Sequence, residues 1–358
     1  MALVFMDGFD MISDTDRRIG KWGDADAGVF YSNTPAFGSG GCMVIGGGIQ
    51  SIQRNLDELS VVSALSYLCV GFWAKMTLSS DEVMTIMDIS DRLNTTYNAQ
   101  ASLKVSDDQH VLLTIDNSTE LGSDTSNVAL DVYHHYELRW EKSAATLRTI
   151  GIWRDGNELI TIVPGSDTIS NSRLAGDVTI IRFGHIEGAP GIMEIDDVYC
   201  LDDQGELSGG LNQPYIETVF PNADGTVTEW ATTETARYCA VSSHLENNGY
   251  EAAKFLNASL QDAKMSFEFS GVSAPSSVSV HVIQLTALAR KNTARTTAID
   301  FIVMPSGTSA HAVCHFLGLS AYVQYTNKIS DNPDNSTSWA ISELDVMSAG
   351  FVVGAGTT

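Results

Sequence analysis

The chain has 358 residues, which at about 150 residues per domain predicts two domains. Its 44 acidic side chains against 20 basic ones give a formal charge of −24 at pH 7. That balance excludes a nucleic-acid binder, which needs Lys and Arg to neutralise phosphates, and disfavours an anionic membrane surface; a hydrophobic content of 44% excludes an acidic disordered chain.

The opening MALVFMDGFD lacks a basic segment, and Asp7 interrupts its apolar run too early for a signal peptide. Glycine clusters Gly38-Ser39-Gly40-Gly41 and Gly46-Gly47-Gly48 flank an apolar strand at Cys42–Ile45. Without a following Gly-Lys-Ser/Thr they are turns, not a phosphate cradle. The longest apolar stretch, Val61 to Ala74, is too short to cross a bilayer and predicts a buried strand. Tyr136, Leu138 and Trp140 alternate with Glu137, Arg139 and Glu141, the pattern of a half-buried strand. Asp155-Gly156 between two apolar runs predicts a type I′ hairpin, with Arg154 and Asn157 beside the turn and Ile152 opposite Leu159. Strands follow at Val178–Phe183 and Met193–Leu201.

At Asp202–Pro214 the alternation gives way to glycine and polar residues, a connection that divides the chain into 1–205, a linker at 206–214, and 215–358. Beyond it, Met265, Phe267 and Phe269 alternate, as do Val278, Val280 and Val282. Later strands are expected at Ala298–Met304, Ala321–Thr326 and Phe351–Val353, and one short helix at Ser338–Met347. Many short strands and scarcely any helix predict an all-β chain of two antiparallel β-sandwich domains.

Catalytic chemistry is sparsely represented. Glu194 and Asp196 stand two apart on one strand and so share a face. The pattern resembles the Glu-x-Asp-x-x-Glu of laminarinase-type glycoside hydrolases, in which the first Glu is the nucleophile and the second the acid/base. Here Tyr199 occupies the second position, and retaining hydrolysis needs two catalytic carboxyls. There is no Gly-x-Ser-x-Gly elbow. Cys42, Cys69, Cys200, Cys239 and Cys314 are scattered without a CxxC pair, as expected of buried reduced thiols. His134 and His135 are adjacent and point to opposite faces, and His281, His311 and His315 lack zinc-ligand spacing. No catalytic residue, cofactor or resident metal is therefore expected.

A further likeness rests on the order of several segments. Phe5-Met6-Asp7-Gly8-Phe9-Asp10, the strand pair around Asp155-Gly156, and Ile195-Asp196-Asp197-Val198-Tyr199 resemble the laminin-G-like, concanavalin-A-like jelly-roll module. Continued by Val219-Phe220-Pro221-Asn222-Ala223-Asp224-Gly225 and closed by Ser338 to Val353, the order resembles virion proteins of tailed bacteriophages. That resemblance implies a non-enzymatic structural component, made in a bacterial cytoplasm and carried on the particle surface as head decoration or a tail or fibre part. Its partners would be other virion proteins and further copies of itself. A second implication is lectin-like adhesion to a host-surface glycan, with Trp22, Tyr31, Tyr97 and Trp153 as candidate contacts. Sandwiches of this kind also hold calcium through loop carboxylates, for which Asp107-Asp108, Asp196-Asp197 and Asp202-Asp203 are candidates although none has the spacing of an EF-hand.

Overall fold

The computed structural model describes residues 3–9, 22, 24–32, 34–36, 41–48, 50–56, 66–78, 83–93, 96–106, 108–115, 119–124, 126–143, 146–163, 178, 180–185, 191–202, 210–242, 256–258, 260–269, 271–272, 278–290, 298–306, 311–317 and 323–354. The chain divides into two compact units, Met1–Thr218 and Val219–Thr358. The expected glycine turn at Gly38–Gly40 and residues 206–209 of the expected linker lie outside the described residues. Residues 210–214 belong to the first unit and are hydrogen-bonded into it.

The first unit is built from β1 (Leu3–Asp7), β2 (Asp24–Ala25), β3 (Val29–Ser32), β4 (Cys42–Ile45), β5 (Gln50–Asn55), β6 (Tyr67–Leu78) and β7 (Met84–Leu93). It continues with β8 (Thr96–Val105), β9 (Val111–Ile115), β10 (Thr119–Ser123), β11 (His134–Ser143), β12 (Thr146–Arg154), β13 (Asn157–Ile162), β14 (Ile180–His185) and β15 (Gly191–Leu201). An eight-stranded antiparallel sheet runs β13-β12-β11-β6-β15-β4-β3, with β1 also paired to β15. A seven-stranded sheet runs β10-β9-β8-β7-β14-β5-β2. The fold is thus the all-β sandwich that the strand pattern predicts, of jelly-roll type.

Strand alternation fills the space between the sheets. Leu68, Val70, Phe72, Ala74 and Met76 of β6 face inward, as do Tyr136, Leu138 and Trp140 of β11. From the other sheet come Ile86, Met87 and Ile89 of β7 and Ile181 and Phe183 of β14. Phe72 and Phe183 join the two sheets edge to face at 4.9 Å. Trp22 is fully buried among Phe5, Phe9 and Phe183, and its indole Nε1 donates to Asp7 Oδ2 at 2.7 Å. This corrects its candidacy as a saccharide contact, because a side chain sealed in the core meets no ligand.

The hairpin at Asp155-Gly156 forms with positive φ at both residues, 51° and 80°, as a type I′ turn requires. Arg154 and Asn157 flank it, but a bulge then places Ile152 opposite Ile160 instead of Leu159. Asp155 also clasps β11: its amide donates to the His135 carbonyl at 2.8 Å, and its Oδ1 accepts the His135 amide at 2.9 Å.

The second unit is built on a five-stranded antiparallel sheet, Pro221–Thr228, Lys264–Phe269, Ser348–Gly354, Ala298–Met304 and His311–Leu317 in spatial order. Met265, Phe267 and Val353 pack with Trp230 on it, while Val303 and Ala349 pack with Ile329, Trp339 and Met347. Val278, Val280 and Val282 precede a strand instead of forming one; Ile283–Ala289 pairs with Val323–Ile329. The expected helix shrinks to Ile341–Leu344: Thr337 and Ser338 are taken into a strand pair with Asn332 and Asp331, and the N-cap falls on Ala340. An unpredicted helix, Arg237–Ser242, starts where the Arg237 and Tyr238 amides donate to Asp224 at 3.2 and 2.7 Å.

Truncating Trp22→Ala removes the aromatic packing and leaves a cavity. A loss of about 3–5 kcal/mol is expected. Urea unfolding followed by circular dichroism measures it, and a loss below about 1 kcal/mol would contradict the central packing role.

Candidate functional site

The side chains that alternation turns away from the core on the eight-stranded sheet form the richest chemical surface of the first unit. On β6 they are Cys69, Gly71, Trp73 and Lys75; on β11, His135, Glu137 and Arg139; on β15, Ile192, Glu194 and Asp196. A bulge then resets β15. Asp196 pairs with Trp73 but Tyr199 pairs with Gly71, so Asp197 and Val198 together oppose one residue, with Asp197 at φ 47°. Strict alternation would turn Tyr199 inward. The bulge returns it to the face of Glu194 and Asp196 and sends Val198 and Cys200 to the core.

One polar set centres on Glu194. Lys75 Nζ lies 2.6 Å from its Oε1, and Tyr133 Oη donates to its Oε2 at 2.9 Å. Thr34 Oγ1 donates to the same oxygen at 3.3 Å, and the Cys42 thiol stands 3.8 Å away. Lys75 also sits 5.3 Å over the Tyr133 ring. Burial pushes the Tyr133 phenol and the Cys42 thiol up from their ordinary values, so both are proton donors near neutral pH. Glu194 is 16% and Lys75 24% exposed, so a ligand can reach them. Strand register sets Phe30 of β3 beside Val44, Val44 beside Glu194, and Glu194 beside Lys75. Phe30 is 52% and Ile192 45% exposed.

Asp196 is held differently. Its Oδ2 accepts the Ala36 amide and its Oδ1 the Asp197 amide, both at 2.8 Å. The carboxylate thereby fixes both the bulge and the 34–36 segment.

The second polar set is closed. Glu137 Oε1 accepts a short hydrogen bond from Tyr199 Oη, and its Oε2 accepts from Arg139. Burial works against the Glu137 charge, but the Tyr199 hydroxyl and the Arg139 guanidinium more than offset it, and the carboxyl is held below its ordinary range. The Tyr199 phenol is pushed well up, first by burial and then by neighbouring negative charge. Gly71 makes this geometry feasible, since a Cβ there would lie 2.1 Å from the Tyr199 ring. His135 stacks on Tyr199 at 6.0 Å and lies 5.2 Å from Trp73. Burial lowers its pKa to about 4, leaving the ring neutral.

The candidates expected from the sequence separate. Trp153 stands on this face opposite Glu137, with one side of its ring covered by Arg139 at 4.0 Å. Tyr31 pairs with Met43 on the core-facing side of the edge strand, packed where a Gly41 side chain would sit, and so does not join Glu194. Tyr97 lies on β8, and its side chain is outside the described residues. Among the described residues no three metal-ligating side chains come together, and Asp107 and Asp203 are outside them. Cys42, Cys69, Cys200 and Cys239 are free thiols. Phe30, Lys75 and Tyr133 escape sequence reasoning, and Glu137 and His135 enter it only as residues of one strand, because only pairing between distant strands gathers the five.

The outer face of the seven-stranded sheet carries a polar row in register, Thr114, Ser102, Asp88, Arg182 and Gln53. Arg182 donates to Asp88 Oδ2 at 2.8 and 3.0 Å, and burial raises the Asp88 pKa to about 6. All of this row except Arg182 is buried, so it serves the sheet before it serves a ligand.

No family model and no curated protein matches the sequence. Among solved structures, the chain is similar to an endo-β-1,4-glucuronan lyase from Trichoderma reesei, at 12% identity and a TM-score of 0.41, over 57% of this chain and 100% of that one. It is similar to a PL-14 alginate lyase from Aplysia kurodai at 9% identity and a TM-score of 0.41, over 56% and 100%. A Trypanosoma rangeli sialidase follows at 10% and 0.36, over 49% of this chain and 29% of that one. The expected virion component finds no counterpart among the structures named, which are two glycan lyases and a sialidase. Likeness at this level concerns the fold alone.

His135 and Asp88 have opposite pH signatures. A folded pKa of about 4 for His135, below its unfolded value, gives stability that is present above about 6.5 and lost as pH falls toward 4. A folded pKa of about 6 for Asp88, above its unfolded value, gives stability that is present below about 4 and lost as pH rises through 6. His135→Gln should therefore tilt the urea-stability profile toward low pH and Asp88→Asn toward high pH, each by on the order of 2 kcal/mol. Parallel profiles for the two variants between pH 4 and 7 would contradict both assignments.

Proposed function

We propose that the first unit binds a neutral saccharide chain on the outer face of its eight-stranded sheet, along Phe30, Val44, Glu194 and Lys75. The observation that carries this reading is the register of an exposed aromatic ring with a reachable carboxylate–ammonium pair. A pyranose presents an apolar C–H face and an edge of hydroxyls. It needs a platform for the first and fixed donors and acceptors for the second. Phe30 and Ile192 supply the platform. Glu194 Oε1 has a lone pair beyond the one that Lys75 takes, and Lys75 has donors beyond the one that Glu194 takes. The row crosses three strand intervals of about 4.8 Å, roughly 14 Å, room for a short run of sugar units. Lys75, Glu194 and Tyr133 already hold one another, so little ordering remains when a ligand arrives.

Charge supports a neutral ligand. The chain carries −24, and Glu194 and Asp196 lie on the face itself, so a polyanionic glycan meets repulsion at long and short range. The reading is of binding and not of hydrolysis. The position that needs a second catalytic carboxyl holds Tyr199, a phenol kept protonated and engaged by Glu137.

Cello-oligosaccharides are suitable probes because their flat, neutral ribbon matches a flat row. Calorimetric titration of the full chain should show binding that weakens about tenfold in Phe30→Ala and in Glu194→Gln, or ~1.4 kcal/mol each. Leu260→Ala, at an exposed position of the second unit, should leave it unchanged. A glycan array on which only anionic chains bind, or binding indifferent to both substitutions, would sink the reading.

A further inference from the structure

Gly210 to Pro214 run across the continuation of this same face. The Leu211 amide donates to Tyr199 Oη at 3.4 Å, and the Asn212 amide donates to Glu137 Oε1 at 3.3 Å. Trp73 Nε1 donates to the Pro214 carbonyl at 2.9 Å. A Cβ at Gly210 would fall 1.9 Å from the Glu137 carboxylate, so the backbone itself is pressed on that group.

The groups beneath are of the kinds that hold a sugar: a carboxylate, a phenol, an indole and an imidazole. They adjoin the row from Phe30 to Lys75, since Trp73 and Lys75 are successive outward residues of β6, and Asp196 and Glu194 of β15. One of them is unsatisfied. His135 is 1% exposed, and its Nε2 has no hydrogen-bond partner among the described residues, although the ring lies between the two rings that the segment holds. A buried polar atom left without a partner is costly, and here it marks a place where a hydrogen-bonding group is missing.

The covering segment is itself strained. Asn212 and Gln213 take positive φ, 51° and 64°, in succession without a glycine. Its two amide bonds are long for charge-assisted or phenolic hydrogen bonds.

We propose that residues 210–214 are a strap over a cryptic saccharide subsite formed by Trp73, His135, Glu137 and Tyr199, which extends the row at Lys75 and Glu194 when the strap lifts. This inference rests on the saccharide reading of the face. With the strap down, its amides take the place of sugar hydroxyls on Glu137 and Tyr199. With the strap lifted, the Trp73 indole is a stacking platform and His135 Nε2 gains a hydroxyl partner. A ligand long enough to pass beyond Lys75 selects the open form.

Two substitutions at one residue push the strap in opposite directions. Asn212→Pro removes the amide held by Glu137 and cannot adopt positive φ, so it lifts the strap. Asn212→Gly keeps the amide and relieves the strain, so it holds the strap down. Hydrogen exchange at 210–214 reports strap position, and calorimetry with cellobiose and cellohexaose reports the subsite.

The expected result is faster exchange in Asn212→Pro with about tenfold tighter cellohexaose binding, slower exchange and weaker cellohexaose binding in Asn212→Gly, and unchanged cellobiose binding in both. Cellohexaose binding that appears only in Asn212→Pro would also support the subsite. Faster exchange without a gain for cellohexaose, while cellobiose still binds, would overturn the subsite and leave the reading of the face intact. Unchanged exchange in Asn212→Pro would overturn the strap. Absence of binding by either sugar to any variant would overturn both.

Discussion

The bulge at Asp197–Val198 is the constraint on which the outer face of the eight-stranded sheet depends. One extra residue in β15 resets the alternation, so that three polar side chains of the strand face the same way while the apolar residues around them still fill the core. The bulge is held by Asp196, whose carboxylate accepts the amide of the residue that bends. A local hydrogen bond thereby sets which chemistry the sheet displays.

That arrangement is expensive where it is closed. Glu137 is buried with its charge intact, and donation from Tyr199 and Arg139, joined by the Asn212 amide, makes this tolerable. The glycine at 71 matters for the same reason, because the ring that reaches Glu137 passes over it. Around Glu194 the same residue types form a more accessible group, with Lys75 in place of Arg139 and a carboxylate 16% exposed where that of Glu137 is 1%. A single sheet face thus carries one polar cluster that is locked and one that is reachable, and the difference lies in what covers them.

Much of the fold was legible in the sequence. Alternation located β11, and the Asp-Gly signal located its hairpin partners, because both depend on residues close together in the chain. The shared face of Glu194 and Asp196 was legible for the same reason. Other features were not. The slip that seats Ile152 opposite Ile160 is a bulge with no glycine to announce it. Trp22 looked available because nothing in its neighbourhood shows that Phe183 will pack on it from far along the chain. Phe30, Lys75 and Glu137 carry no motif, and they become a site only through the pairing of β3, β4, β15, β6 and β11. The glycine-rich stretch before Pro214 has the composition of a linker, yet its backbone amides are used as ligands by side chains of the sheet.

The clasp between Asp155 and His135 bears on how this sandwich tolerates change. A hairpin tip is ordinarily the place where an extra loop or a foreign peptide is accommodated most readily. Here the residue that makes the turn also exchanges two hydrogen bonds with the neighbouring strand, and its other carboxylate oxygen lies 2.6 Å from His134 Nδ1. Lengthening that tip would unpin the first residues of β11, next to the closed cluster. The turn is short because it is also a fastener, and variation in loop length belongs at other corners of the sandwich.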